Sequence, residues 1–344
     1  MRAGGAVRRA VEIGALAAGV GAIALLCWRF GLTNLRTAFA HVSVPHLVAY
    51  VVFACAVRFG YGLRWDFVMR TLGSSPGLGW LVVARVAGDA VSALLPIGRI
   101  SGDPVRVALV SQAPVGTATA GASVAMDRVM EVVGNMLCTI TYVTVFSAAH
   151  TFGSSRRAAH TLIETMLLLL AALAVALVVL RRGKHLATPI YGLARRSRSV
   201  LLQRCVGACR RVEDQLIRFL QLHPGAVAGG ILGSLCIEGL QVLEYYFLLA
   251  AFGITLDLPT LLMALVATGL AHVVPTPAGL GALEAGQVTV LAVASNQPDL
   301  GFVVGIVMRL HETLWTAVGL LALSARGVSL KRLRLLASAD KVAA

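Results

Sequence analysis

Long apolar runs alternate along the chain with short stretches rich in Arg, Gly and Pro. A run of about 20 apolar residues is long enough to cross a bilayer as a helix. Such runs stand at 11–28, 45–65, 117–146, 162–180, 225–252 and 301–325. Two further apolar regions are interrupted. Residues 78–110 contain Arg85, Asp89, Pro96, Gly98, Arg99, Gly102, Asp103, Pro104 and Arg106, and residues 261–294 are broken by Pro275, Pro277, Gly279 and Gly281. Non-helical backbone persists at membrane depth only inside protein or beside a water-filled cavity. Each interrupted region is therefore expected to form two short helices meeting at a turn, a re-entrant hairpin. The predicted fold is all-α: one transmembrane domain over 1–344, a polytopic membrane helix bundle of about six full spans plus two re-entrant helical hairpins.

The two interrupted regions match at a fixed offset. Pro96, Gly98 and Asp103 recur as Pro277, Gly279 and Glu284, and Arg128 and Glu131 recur as Arg309 and Glu312, each 181 residues on (277 − 96 = 309 − 128 = 181). Gly88 and Gly269 obey the same offset. Pro, Gly, an acid and an R-x-x-E pair are uncommon in apolar segments, so the match points to an internal repeat with halves at 11–150 and 161–326.

Charge gives the orientation. Segment 181–224 holds ten Arg and Lys against Glu213 and Asp214, which marks it as a basic cytoplasmic loop. Its second half is amphipathic: Leu201, Cys205, Val212, Leu216 and Phe219 share one helical face, and Arg204, Arg211, Asp214 and Arg218 the other. That helix either lies in the membrane interface or packs on the protein's own cytoplasmic surface. Arg64, Trp65 and Arg70 read as an interfacial anchor. With both termini cytoplasmic, the two hairpins enter from opposite faces, so the repeat is inverted, as in many secondary transporters.

Composition narrows the classes. The chain is 58% hydrophobic and 13% charged, against about 25% charged in a soluble domain. The net charge of +14 would suit nucleic acid, but the basic residues cluster between apolar runs and aromatics are only 6%. Anionic lipid is the expected acidic partner, and no nucleic acid is expected. No C-x-x-C, H-E-x-x-H, G-x-S-x-G or P-loop occurs, so no metal, no cofactor and no enzymatic activity are expected.

The remaining chemistry lies in charges within apolar runs. Each is expected to cost roughly 2.5–3.5 kcal/mol at bilayer depth unless paired or functional. Arg128 and Glu131 are three apart on one helix face, as are Arg309 and Glu312. Each pair can close against its own hairpin, Asp103 with Arg128 and Glu284 with Arg309. Such contacts either latch the hairpins or take part in translocation. Arg99 and Arg106 align with Leu280 and Gln287. Having no charged counterpart, they either receive an anionic headgroup or reach out to the interface. Glu238 and Glu244, six apart, fall on opposite faces of one helix, and one of them is a candidate proton site.

Four motifs taken together carry a resemblance: P-x-G-R-x-x-G-D-x-x-R (Pro96 to Arg106), D-R-x-x-E (Asp127 to Glu131), P-x-P-x-G-x-G-x-x-E (Pro275 to Glu284) and R-x-x-E (Arg309 to Glu312). The chain resembles the flippase-like membrane region of lysylphosphatidylglycerol synthases over nearly its whole length. The aminoacyl transferase activity in the family's name belongs to a separate soluble domain, which this chain is expected to lack. The run from Gly98 to Arg106 is also similar to the hopanoid-associated branch, which implies a polycyclic lipid cargo. The resemblance implies a lipid translocase of the cytoplasmic membrane, with Arg99, Asp103, Arg106, Asp127, Arg128, Glu131, Glu284, Arg309 and Glu312 as substrate-binding or translocation residues. Pro96, Gly98, Gly102, Pro275, Pro277, Gly279 and Gly281 are the expected hairpin turns. The alternatives are an ion-coupled transporter of a small anion and a scaffold for lipid-synthesis or envelope proteins.

Overall fold

The computed structural model describes residues 42–94, 99–149, 155–186, 200–274, 276 and 279–325. Pro96, Gly98, Pro275, Pro277, the expected span at 11–28 and both termini lie outside the described residues, as do the side chains of Arg99, Leu201, Arg204 and Cys205.

The described elements are helical throughout: α1 Val44–Thr71, α2 Leu78–Leu94, a 3₁₀ turn Arg99–Gly102, α3 Asp103–Val110, α4 Thr117–Ala149, α5 Ser155–Arg181, α6 Val200–Leu222, α7 Pro224–Ala251, α8 Leu258–Ala271, α9 Ala282–Ser295 and α10 Pro298–Ala325. Five of them, α1, α4, α5, α7 and α10, are long and apolar enough to cross a membrane. They answer to five of the six predicted spans. At a rise of about 1.5 Å per residue, the 28 residues of α1 reach well beyond a hydrocarbon core of about 30 Å. Helices α2, α3, α8 and α9 are short, with 17, 8, 14 and 14 residues, and fill the two interrupted regions.

The order long, short, short, long occurs twice, in α1–α4 and again in α7–α10. Helix starts recur at offsets of 179 to 181 (224 − 44 = 180, 258 − 78 = 180, 282 − 103 = 179, 298 − 117 = 181). These offsets lie within two residues of the 181 read from the rare residues.

Packing interleaves the halves. α1 lies along α7. The hairpin limb α3 packs on α4 of its own half, whereas α2 packs on α10; likewise α9 packs on α10, whereas α8 packs on α4. Each hairpin therefore leans one limb on each half. Small residues permit the close approaches. A Cβ on Gly319 of α10 would collide with the Val86 carbonyl oxygen of α2. A Cβ on Gly102 would overlap the Gly88 carbonyl oxygen, so the first hairpin's limbs touch backbone to backbone there. The second hairpin turns through Gly279 (φ 63°) and Gly281 (φ 78°), a left-handed backbone that favours glycine. The Glu284 carboxylate then accepts from the Gly281 N–H at 2.9 Å and caps α9.

The amphipathic helix α6 packs on α4 and α5. Ile217, Phe219 and Leu220 are buried with Met126, Met130 and Leu180, while Arg211, Asp214 and Arg218 face outward. Of the two placements open to it, the described part of its apolar face takes the one on the protein's own surface.

Candidate functional site

Four helices of the first half bring four arginines and four acids together. Arg64 comes from α1, Arg85 and Asp89 from α2, Asp103 and Arg106 from α3, and Asp127, Arg128 and Glu131 from α4. Asp127 is the hub: its carboxylate accepts from Arg64 Nε at 2.8 Å, Arg85 Nη1 at 3.1 Å and Arg106 Nη2 at 2.5 Å. Glu131 accepts from Arg64 at 3.2 Å, Arg85 at 2.9 Å and Arg128 at 3.0 Å. Arg85 also reaches Asp89 at 2.9 Å. Arg128 closes on Asp103 at 2.7 Å, with its Nε 3.2 Å from the other oxygen. Aromatic faces complete the packing: Arg106 lies 4.2 Å over Trp65, and Arg85 4.4 Å over Tyr61. Four positive and four negative charges balance formally. Multiple partners per group are what allow such charges to persist away from water.

Two sequence expectations change here. Arg64 and Trp65, expected at the interface, are buried, at 5% and 0% exposure. Trp65 donates to Ser123 Oγ at 3.1 Å, and Arg64 also donates to Ser234 Oγ on α7 at 2.9 Å, tying the two halves. Position at the end of an apolar run resembles an anchor, but here that face of α1 meets α4. Arg106, a candidate for open headgroup contact, is 0% exposed and locked between Asp127 and Asp103. It stands in the structural cluster, not at a cavity wall.

The second half is sparser. Arg309 of α10 holds Glu284 of α9 through Nε at 2.9 Å and Nη2 at 3.2 Å, and donates to the Gly279 carbonyl at 3.1 Å. Its Nη1 reaches Glu312 at 3.1 Å. Both expected hairpin pairs, Asp103–Arg128 and Glu284–Arg309, are therefore present. Gln287, at the position matching Arg106, is buried and donates to the Ala264 carbonyl at 2.8 Å and to Thr268 Oγ1 at 3.0 Å.

Between the halves lies a cavity of about 150 Å³. Arg58 of α1, Arg85 and Asp89 of α2, Glu244 of α7, His272 at the end of α8 and Glu312 of α10 line it, with Tyr61 and Trp315 as aromatic walls. Arg58 spans Glu244 at 3.4 Å and His311 at 3.3 Å and lies 4.4 Å over Trp315. These contacts are longer than those of the first-half arginines. Of the nine residues expected at the site, Glu312 lines the cavity. Asp127 and Glu131 touch it through Arg85, and Glu284 through Arg309 and Glu312. Arg58, Arg85, Asp89, His272 and His311 were not singled out as site residues. The charges at 85 and 89, four apart in an apolar run, were the available signal for two of them. Among the described residues, no group of three or more His, Cys, Asp and Glu is placed to hold a metal ion.

The arrangement offers both signs of charge and aromatic faces to a polar group, surrounded by helices whose outer faces are apolar. The family model of the lysylphosphatidylglycerol synthase transmembrane region matches residues 12–320. A UPF0104 membrane protein of Methanothermobacter thermautotrophicus (strain Delta H) is 23% identical over 321 residues, which cover 90% of this chain and 94% of that protein.

Proposed function

The chain belongs to the lysylphosphatidylglycerol synthase transmembrane-region family, and from that premise we propose that it is a lipid translocase. It moves a phospholipid or an isoprenoid or hopanoid lipid across or out of the cytoplasmic membrane. The observation that carries this reading is the charged cavity between the halves, reached by both hairpins and bounded by Arg58, Asp89, Glu244 and Glu312. A headgroup enters the polar cavity while its tails stay in lipid. A chain-wide repeat with hairpins approaching from opposite faces supplies alternating access. The repeat is inverted in this reading, with both termini and the basic segment 181–224 on the cytoplasmic side, next to anionic lipid or to lipid-synthesis proteins.

The test is headgroup accessibility of labelled lipids in proteoliposomes. Wild-type protein is expected to accelerate loss of sidedness for an anionic phospholipid or a hopanoid, and Arg128→Ala and Arg309→Ala to abolish the acceleration while remaining inserted. Wild-type rates in both well-expressed variants would overturn the roles of these arginines. No acceleration of any lipid by the wild type would overturn the translocase itself and favour a small-anion transporter.

A further inference from the structure

One cavity residue turns one ring nitrogen to a carbonyl oxygen and the other to a carboxylate. His272 closes α8 at its C-terminal end, where the carbonyl dipoles favour a cation. Its Nδ1 lies 2.7 Å from the Thr268 carbonyl oxygen. A carbonyl oxygen only accepts, so Nδ1 carries a proton. Its Nε2 lies 2.9 Å from Oε1 of Glu312 on α10. In the neutral ring that nitrogen presents a lone pair, which a carboxylate at this distance repels. The approach becomes attractive when one more proton sits on Nε2 or on the carboxyl group.

The other ionisable groups around the cavity face partners of their own, and Glu244 Oε1 also lies 3.6 Å from His311 Nδ1. On α10, His311 Nε2 faces Arg58 Nη2 of α1 at 3.3 Å, and its Nδ1 faces the Tyr50 hydroxyl at 3.0 Å. A guanidinium only donates, so His311 Nε2 accepts and that ring is neutral. On α7, Glu244 faces Arg58 at 3.4 Å; on α2, Asp89 faces Arg85 at 2.9 Å. Arg309 of α10 bridges Glu312 to Glu284 of α9. His272 and Glu312 both line the cavity, so a proton reaches them from there.

We propose that His272 and Glu312 form a proton-binding site, and that this proton is the coupling ion of the transport cycle. The coupling rests on the translocase reading above; the binding stands on the local geometry alone. With the proton in place, His272 clasps the end of α8 to α10. The clasp is present on the acid side of the transition and lost on the alkaline side. Once the proton leaves Nε2 for water, lone pair and carboxylate repel, and the second hairpin is released on its α8 limb. No other bond forms or breaks.

Full-length protein labelled with ¹⁵N-histidine in lipid nanodiscs reads the binding directly, whatever the cargo. The chain has eight histidines, and the signal lost in His272→Gln identifies the one in question. The wild-type His272 nitrogens are expected to change from imidazolium to neutral imidazole as the pH is raised. Glu312→Gln, which removes the counter-charge, is expected to move that transition to lower pH. A His272 signal that stays put in the wild type, or a transition unchanged by Glu312→Gln, overturns the proton site. In proteoliposomes, an imposed pH gradient is expected to raise net lipid movement several-fold in the wild type and to have no effect in His272→Gln. Lipid movement indifferent to the gradient overturns the coupling. Absence of any lipid movement overturns the translocase reading, and the nanodisc experiment still decides whether the proton binds.

Discussion

The two halves share a hairpin acid and an R-x-x-E pair, yet they hold their hairpins differently. In the first half Arg128 is one of four arginines bound to Asp89, Asp103, Asp127 and Glu131. In the second, the positions matching Arg85, Arg106 and Asp127 at the offset of 181 are Val266, Gln287 and Met308, all buried. The hub is replaced by apolar packing and one amide, leaving Arg309 to bridge Glu284 and Glu312 with His272 alongside. An ion-pair cluster with a shared hub resists partial opening, because each broken contact leaves a buried charge behind. A short chain of contacts ending on a histidine can open at one link. The difference predicts that the first hairpin resists opening more strongly than the second.

The largest test strikes the hub. Asp127→Asn removes the charge shared by Arg64, Arg85 and Arg106 and is expected to cost about 3–5 kcal/mol, the range for leaving buried charges uncompensated. Thermal unfolding in detergent, followed by loss of the monodisperse elution peak, reads it. A midpoint equal to the wild type would show that the cluster does not hold the first hairpin.

The next test strikes the backbone crossing of the same hairpin. A Cβ on Gly88 would lie 2.5 Å from Arg106 Cγ and 3.1 Å from the Gly102 carbonyl oxygen. Gly88→Ala is expected to cost about 1–3 kcal/mol, as overpacking does in a tight interior. It also displaces the Arg106 guanidinium, so combined with Asp127→Asn the two losses should fall short of additive. Full additivity would mean that the crossing and the ion cluster are independent devices.

Much of this was legible in the sequence, for a physical reason. Lipid enforces long apolar runs, so the spans stand out, and Pro, Gly and charge within such runs mark the hairpins. The different faces of Glu238 and Glu244 followed from their spacing alone: Glu238 lies beside the Asn135 side chain of α4, while Glu244 faces Arg58 of α1. Arg64 and His272 were not legible. Whether Arg64 meets headgroups or α4 depends on which helix covers that side of α1, and periodicity along one helix does not name its neighbour. The partner of His272 lies on another helix, so nothing along the chain marks it. Gln287, read as the absence of a charge, turned out to be a hydrogen-bonded substitute for one.

The smallest test asks whether the second hairpin is as open as the comparison holds. Gly269 occupies the position of Gly88 in the repeat, but no atom lies within 4 Å of a Cβ built on it. It sits inside α8, where glycine is less favourable than alanine by about 1 kcal/mol for an exposed helix interior. Gly269→Ala is therefore expected to leave the unfolding midpoint unchanged or to raise it slightly, with an upper bound of about 1 kcal/mol. The same substitution should then have opposite signs at two matched positions. A loss at Gly269 comparable to that at Gly88 would mean that α8 is crossed as tightly as α2, and that both hairpins resist opening alike. A neutral or stabilised variant with lipid movement slowed would sharpen the contrast instead, because glycine at 269 would then serve the motion of α8 without serving its stability.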